Sequence, residues 1–156
     1  MNHRKRTLFG VLPLATMVWA AALALVSACA SRDACTPGSE FEPPLCPLEI
    51  PAIKTIIITE NAAKAPADTD PNVSCESFRV NENTVRQYFA AAKVTAANDA
   101  HHTLDWSPCY ATGEMILEDG SKGRWSLSQL KSGSLLIGDG NPQTLYCPTC
   151  EFEPFQ

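Results

Sequence analysis

The sequence predicts an α+β domain in which one amphipathic helix packs on a small four- to five-stranded, mostly antiparallel meander that is stapled by disulfides. Three observations support this fold class. Apolar residues recur at helical spacing in one segment, they alternate with period two towards the C-terminus, and six cysteines follow position 29. The chain has 156 residues, which suggests a single domain. A core of this size gains stability from covalent cross-links.

The helix is predicted to begin after Asn81 and to end near Asn98. Asn81 is a favourable N-cap residue, and the negative charge of Glu82 suits the first turn of a helix. One face of the helix is apolar and should be its core side. That face consists of Val85, Tyr88, Phe89, Ala92 and Ala96.

The strands are predicted from β-branched runs and from alternation. Residues 53–59 are rich in β-branched side chains, residues 78–80 suggest a short strand, and 61–74 is predicted as a loop. The meander begins at Cys109, where apolar and polar residues alternate up to Leu117. Turn signals at 119–123, 131–133 and 139–142 then separate three further strands. These strands carry Trp125 with Leu127, residues 135–137 and residues 144–147.

The N-terminus has the features of an export signal. Three basic residues at positions 4–6 precede an apolar stretch over 8–28, which ends in Val26-Ser27-Ala28-Cys29. This end resembles the lipobox of bacterial lipoproteins. The resemblance implies that Cys29 receives a diacylglyceryl group and that the chain is cut just before it. An uncleaved membrane anchor is the alternative, and Pro13 argues against it.

The resemblance also implies a domain organisation and a cellular location. Residues 1–28 are the predicted signal peptide, 29–50 a lipidated, proline-rich tether, and 51–156 the small α+β domain. Ala30 follows the lipidated cysteine, where an aspartate would often retain such a lipoprotein at the inner membrane. The expected location is therefore the cell envelope, lipid-anchored at the outer membrane and facing the periplasm.

The charge of the mature chain restricts its partners. Residues 29–156 contain 9 basic and 17 acidic residues, a formal charge of −8. Nucleic acids and anionic lipid surfaces both require a basic patch, so neither is an expected partner. A basic protein partner is compatible with this charge.

Cysteine usage predicts disulfides in an oxidising compartment. Six cysteines remain once Cys29 is lipidated, and they allow 15 connectivities; they are Cys35, Cys46, Cys75, Cys109, Cys147 and Cys150. A local Cys35–Cys46 bridge is favoured by their spacing, and the other four should staple the domain. A bridge from Cys109 to Cys147 or Cys150 would require the sheet to curl or the tail to fold back.

The Cys147-Pro148-Thr149-Cys150 segment has the C-x-x-C spacing of thiol–disulfide oxidoreductases. In those proteins a helix starts at the first cysteine and lowers its pKa. Only six residues follow Cys150 here, which leaves no room for such a helix. A metal site would need further ligands at suitable spacing. We therefore expect a structural bridge and keep redox activity as an alternative.

No other residue set predicts catalysis, a cofactor or a metal. The candidates weighed for acid–base work are His101, His102 and Asp105, and those for a carboxylate pair are Glu114, Glu118 and Asp119. The first set lies in a predicted loop without a nucleophile motif, and the second surrounds a hairpin tip. Phosphate-binding glycine motifs are missing from the sequence. The chain is therefore expected to be non-enzymatic and to need no cofactor.

The C-terminal half resembles uncharacterised small cysteine-containing exported proteins of proteobacteria. The likeness rests on residues 105–110, on Asp119-Gly120, on Trp125 and on residues 145–150. It implies no activity. Trp106, Tyr110 and Trp125 are expected to cluster as a core feature.

The function predicted from these features is that of a membrane-anchored envelope lipoprotein that binds another envelope protein. One version is an immunity or inhibitor lipoprotein that acts against a toxin or a hydrolase. The Tyr-Trp-Gly-Lys-Gly run of membrane-bound lysozyme inhibitors is missing, so that family is not supported. The remaining alternative is a redox protein that uses Cys147 and Cys150.

Overall fold

The computed structural model describes residues 35–156, so the predicted signal peptide and Cys29 lie outside the described residues. The described part consists of one antiparallel sheet of seven strands and two short helices. In chain order these elements are β1 (Cys46–Pro47), β2 (Ile53–Lys64), α1 (Glu82–Ala91), β3 (Lys93–Thr95), α2 (Ala97–Thr103), β4 (Cys109–Leu117), β5 (Lys122–Ser128), β6 (Ser132–Ile137) and β7 (Gln143–Tyr146). The strand order across the sheet is β1-β3-β7-β6-β5-β4-β2.

The predicted fold class, one helix on a four- to five-stranded meander, is wrong. The four predicted meander strands exist as β4 to β7, but they are only the middle of the sheet. β2 pairs with β4 on one side, and β3 and β1 follow β7 on the other. Hairpins leave turn signals in the sequence, whereas pairing between distant strands leaves none. That difference explains why the sheet was underestimated.

The helical prediction is right at its start and wrong at its end. Asn81 is the N-cap, and its side chain accepts a hydrogen bond from the Thr84 backbone N–H at 2.9 Å. α1 ends at Ala91 instead of near Asn98, because Ala92 is extended and residues 93–95 pair with β7. This pairing satisfies the backbone groups of β3 and packs Val94 against the core. Ala96 is exposed rather than part of the apolar face.

Residues 78–80 do not form a strand, and the loop predicted from residue 61 begins later. The Asn61 side chain takes the place of a strand partner: its amide donates to the Val80 carbonyl and accepts from the Val80 N–H, at 2.7 and 3.0 Å. β2 continues to Lys64 beyond the predicted Thr59. Its pairing with β4 shifts register at three places, between Ile53 and Thr55, between Ile58 and Glu60, and between Glu60 and Ala63.

The core lies between α1 and one face of the sheet. The alternation predicted for β4 is confirmed, because the residues of its apolar face are all buried. From the other side α1 contributes Val85, Tyr88 and Phe89. The C-terminal segment adds Phe155, whose ring meets that of Phe78 edge-on at 5.6 Å between centroids.

Three disulfides join the six cysteines of the described chain. The predicted Cys35–Cys46 bridge is confirmed, with an S–S distance of 2.02 Å. Cys75 pairs with Cys109, so the bridge considered from Cys109 to Cys147 or Cys150 is not formed. Cys147 pairs with Cys150 across only three positions, so Cys75–Cys109 is the bridge among these four cysteines that joins distant segments of the chain.

The segment predicted as a tether contributes to the sheet from residue 46 onwards. Thr36 and Leu45 form an isolated bridge, and β1 pairs with β3. Leu45 is buried, which ties this segment to the domain.

Over residues 35–156, neither helix is long and apolar enough to cross a membrane.

Candidate binding site

The sheet face opposite α1, here called the open face, carries a row of hydroxyl side chains. Residues opposite each other on antiparallel strands point to the same face. The register pairs Thr112 with Ser126, Ser126 with Ser134, and Ser134 with Thr144. Thr144 pairs in turn with Thr95, and Thr112 Oγ1 lies 3.0 Å from Thr59 Oγ1. Six strands thus contribute one hydroxyl each to a single line, here called the hydroxyl row.

One end of the open face is a groove of about 550 Å³. α2 and the segment that follows it form its walls, above the middle strands of the sheet. The floor consists of Ser126, Ser128, Ser132, Ser134 and Thr144. The walls include Ala97, Ala100, His101, Leu104, Asp105, Trp106 and Tyr110.

The floor hydroxyls are available to a ligand. Ser107, at the edge of the groove, uses its hydroxyl internally: it donates to Gln129 Oε1 at 3.1 Å and accepts from the Cys109 N–H. The floor serines and Thr144 have no such side-chain partner among the described residues. Thr95 Oγ1, next to Thr144 in the hydroxyl row, is buried without a partner. A hydroxyl both donates and accepts hydrogen bonds. This floor therefore suits ligands that carry hydrogen-bond donors as well as acceptors.

Leu104 and Asp105 line both the groove and a smaller neighbouring depression, which Tyr146 and Lys131 also line. Burial raises the pKa of the Tyr146 phenol, and the nearby carboxylates of Glu42 and Asp105 raise it further. The two carboxylates raise the pKa because their negative charge disfavours the negatively charged phenolate.

The rim of the groove exposes a large aromatic side chain. Trp106 is 67% exposed, although tryptophan is usually well buried. The predicted cluster of Trp106, Tyr110 and Trp125 is wrong. Trp106 and Tyr110 line the groove, whereas Trp125 is buried on the other face, where its indole N–H donates to the Glu114 carbonyl at 3.1 Å.

The structure brings two of the three residues considered for acid–base catalysis to the groove. His101 and His102 lie in α2 rather than in a loop, with their rings stacked 5.4 Å apart. His101 and Asp105 both line the groove, and His102 does not. No nucleophile activated by His101 is found among the hydrogen bonds of the groove.

Of the three carboxylates near the hairpin tip, Asp119 has hydrogen-bond partners for its side chain. Asp119 accepts hydrogen bonds from the Ser121 hydroxyl and backbone N–H, which lower the pKa of Asp119. Glu114 lies on the open face opposite Arg124, and the Glu118 N–H donates to the Ala52 carbonyl. Within residues 35–156, no group of His, Cys, Asp and Glu side chains is arranged to hold a metal ion.

The C-x-x-C pair is closed and covered. Cys147 and Cys150 form a disulfide, and both residues have no exposed surface. Exchange with a substrate thiol requires direct access to a sulfur atom, which here would need local opening.

Sequence reasoning missed the floor of the groove. Its signal is nevertheless present, because serines recur with period two at 126 and 128 and again at 132 and 134. On two strands joined by a short turn, such serines lie side by side on one face. The walls were not predictable in the same way, since they depend on where α2 packs.

The chain was compared with protein-family models, with curated proteins and with solved structures, and nothing in any of the three matches it. The class that fold and site define is therefore a small disulfide-bonded protein built on one antiparallel sheet, with a hydroxyl-floored groove on its open face.

Proposed function

We propose that this chain is a lipid-anchored, non-enzymatic binding module of the bacterial envelope, and that its groove binds a segment of another envelope protein. The observation that carries the proposal is the groove itself. It combines a floor of hydroxyls that lack internal partners with an exposed tryptophan on its rim.

The chemistry of the groove favours a polypeptide with basic side chains. Floor hydroxyls can pair with both the N–H and the C=O groups of an extended backbone. Tryptophan is among the residues that contribute most to protein–protein binding energy. Asp105 in the groove wall favours a lysine or arginine on the partner. The formal charge of −8 on residues 29–156 also favours a basic partner. A toxin or a hydrolase with a basic surface is one such partner.

Photo-crosslinking tests the groove in intact membranes. A photoreactive residue replaces His101 in the groove wall, and in a matched control it replaces Gln87, which is exposed on α1. We expect a discrete covalent adduct from position 101 and none of that size from position 87. Trp106→Ala in the His101-substituted chain should reduce the adduct about tenfold or more, as expected for an interface anchor.

Three results would reject the groove as the binding surface. These are equal adducts from positions 101 and 87, no adduct from position 101, and an adduct at position 101 that Trp106→Ala leaves unchanged. Identification of the adduct by mass spectrometry then tests the basic character of the partner.

The lipid anchor is tested separately through Cys29. In cells labelled with a palmitate analogue, we expect the wild-type chain to carry label and to fractionate with membranes. Cys29→Ser should abolish labelling and release the chain, because lipid chains supply the membrane affinity. Cys35→Ser is the matched control and should keep its label. Labelling that persists in Cys29→Ser would contradict the lipobox interpretation.

A further inference from the structure

Residues 36–45 form a loop, here called the Phe41 loop, that is closed covalently at its base. Cys35 and Cys46 flank the loop and are joined by a disulfide. Inside this bridge, Thr36 and Leu45 exchange two backbone hydrogen bonds of 2.8 and 3.1 Å. Leu45 is also buried, which fixes the returning arm of the loop to the domain. This part of the predicted tether is therefore a constrained loop.

The tip of the Phe41 loop presents a large apolar side chain from a backbone that is held in place. The Ser39 hydroxyl accepts hydrogen bonds from the backbone N–H groups of Phe41 and Glu42, at 3.2 and 3.1 Å. The next residue, Pro43, is fully buried. Phe41 itself is 78% exposed. Because the backbone is already ordered, a contact with Phe41 would cost little further conformational entropy.

Phe41 lies next to the groove rather than apart from it. Together with Leu104 and Asp105 it lines the depression, which has a volume of about 150 Å³. Leu104 and Asp105 also line the groove, whose rim carries the exposed Trp106. The groove and the depression therefore share a wall, and an exposed aromatic side chain borders each of them. Single exposed apolar residues are ordinary, whereas neighbouring ones among polar residues are typical of interaction sites.

The charges around Phe41 are mainly negative. Glu40 and Glu42 flank it in the chain, both are exposed, and neither forms an ion pair within residues 35–156. Asp105 in the shared wall adds a third carboxylate, and Lys131 is the one basic residue among those that line the depression. This arrangement is complementary to a surface that carries lysine or arginine side chains.

The same carboxylates disfavour two other ways of covering Phe41. Insertion of Phe41 into a lipid surface would take water away from Glu40 and Glu42, which is costly for charged groups. A second copy of this chain in a symmetric contact centred on Phe41 would bring like charges together. A basic protein surface avoids both costs.

We propose that the protein bound in the groove also docks on the Phe41 loop, with Phe41 as a second aromatic anchor and with Glu40 and Glu42 facing its lysine or arginine side chains. This inference rests on the proposed function and adds a second contact site to it. It also makes the partner more specific, because a basic surface must lie next to the segment that occupies the groove.

Photo-crosslinking from position 41 tests this contact in intact membranes that contain the full-length chain. The photoreactive residue p-benzoylphenylalanine replaces Phe41 and keeps its aromatic character. In a matched control it replaces Glu49, which is exposed shortly after β1. We expect position 41 to capture the same protein as position 101, at a site within a segment of net positive charge, and position 49 to give no such adduct.

The possible outcomes separate the Phe41 loop from the groove. An adduct at position 101 without one at position 41 overturns the second contact site and leaves the groove proposal standing. Capture of a lipid, of a second copy of this chain or of a different protein at position 41 has the same meaning, as does capture at an acidic segment. No adduct at either position rejects both proposals.

Truncation of the anchor tests its share of the binding energy. With the photoreactive residue kept at position 101, Phe41→Ala should reduce the adduct about fivefold or more, as expected for an interface anchor. Glu49→Ala is the matched control and should leave the adduct unchanged. The urea midpoint of Phe41→Ala should equal that of the wild type because the side chain is exposed, which separates loss of binding from unfolding. An undiminished adduct in Phe41→Ala would overturn the anchoring role.

Neutralising the two carboxylates tests the charge of the partner. The double variant E40Q/E42Q should reduce the adduct from position 101 about threefold at low salt and much less at high salt, because salt screens exposed charges. Glu49→Gln is the control for a general loss of negative charge and should respond to salt as the wild type does. A salt response of E40Q/E42Q equal to that of the wild type would exclude pairing of these carboxylates with basic side chains.

Discussion

Gly113 shows how a single residue determines the packing of the core face. It lies opposite Trp125 on the neighbouring strand, and the Trp125 ring packs across the position that a Cβ atom would occupy. The Ile57 carbonyl approaches the same position from β2. Glycine inside a strand usually weakens it, and here it permits close approach on both sides.

Gly113→Ala should therefore lower the free energy of unfolding by about 1–3 kcal/mol, the usual cost of overpacking a core. Urea unfolding of the purified chain measures the change. Ser126→Ala, on the open face of the next strand, is the control and should stay within about 0.5 kcal/mol of wild type. Equal stability of Gly113→Ala and wild type would contradict this packing.

Tyr88 is a buried phenol, and its protonation affects the stability of the protein at alkaline pH. Its hydroxyl donates to the Lys131 carbonyl at 3.1 Å, and burial raises the pKa of Tyr88 far above its usual value. Above about pH 10 the unfolded chain loses the Tyr88 proton while the folded chain keeps it, so the free energy of unfolding falls as pH rises.

We expect this fall to reach about 1.4 kcal/mol per pH unit above pH 10 for Tyr88 alone. Tyr88→Phe should cost about 1 kcal/mol at pH 7, where the hydrogen bond is lost, and should show a shallower decline above pH 10. Urea midpoints between pH 8 and pH 11 compare the two chains. Parallel curves would show that Tyr88 does not remain protonated in the folded state.

At the scale of elements, α1 depends on its cap more than a longer helix would. It has only ten residues, and helices this short are marginal without tertiary contacts. Helical spacing continues past Ala92 in the sequence, yet the chain leaves the helix there because β3 gains a strand partner in β7. The pairing of β3 with β7 therefore decides between a longer helix and a strand. This pairing joins residues that are distant in the chain, and intrinsic helix propensity does not describe such contacts.

Asn81→Ala should destabilise the protein by about 1 kcal/mol, because the Thr84 N–H loses its acceptor. Asn83→Ala, on the exposed side of the same helix, is the matched control, and alanine is a good helix former there. Urea unfolding should show a lower midpoint for the first variant only. A reversed order would contradict the capping role of Asn81.

The disulfides act at the scale of the whole molecule, and their effects should differ with the length of chain they close. Cys75–Cys109 closes 34 positions and fixes the segment before α1 to the start of β4, whereas Cys147–Cys150 closes three. In the chain-entropy account, a longer closed loop restricts the unfolded chain more.

Replacing both cysteines by alanine should therefore cost about 4 kcal/mol for the Cys75–Cys109 pair and about 2 kcal/mol for the Cys147–Cys150 pair. Both pairs are buried, so they are matched in environment. Thermal or urea unfolding of the two double variants tests the order. The prediction fails if the Cys147–Cys150 variant is the less stable one.

The sequence by itself determined the features that depend on neighbouring residues. These are the strands from Cys109 onwards with their turns, the start of α1 at Asn81 and the Cys35–Cys46 bridge. The export signal and Cys29 are also sequence predictions, and they lie outside the described residues. Alternation, capping and short loops act over a few positions, which is why they can be recognised without a fold.

Only the tertiary structure decided how distant segments meet. β2 joins β4, β3 ends the predicted helix early, and Cys75 finds Cys109. The groove arises in the same way, since α2 must pack over the open face before the serines become its floor. Each of these outcomes depends on burial and backbone pairing between segments far apart in the chain, and these are properties of the fold as a whole.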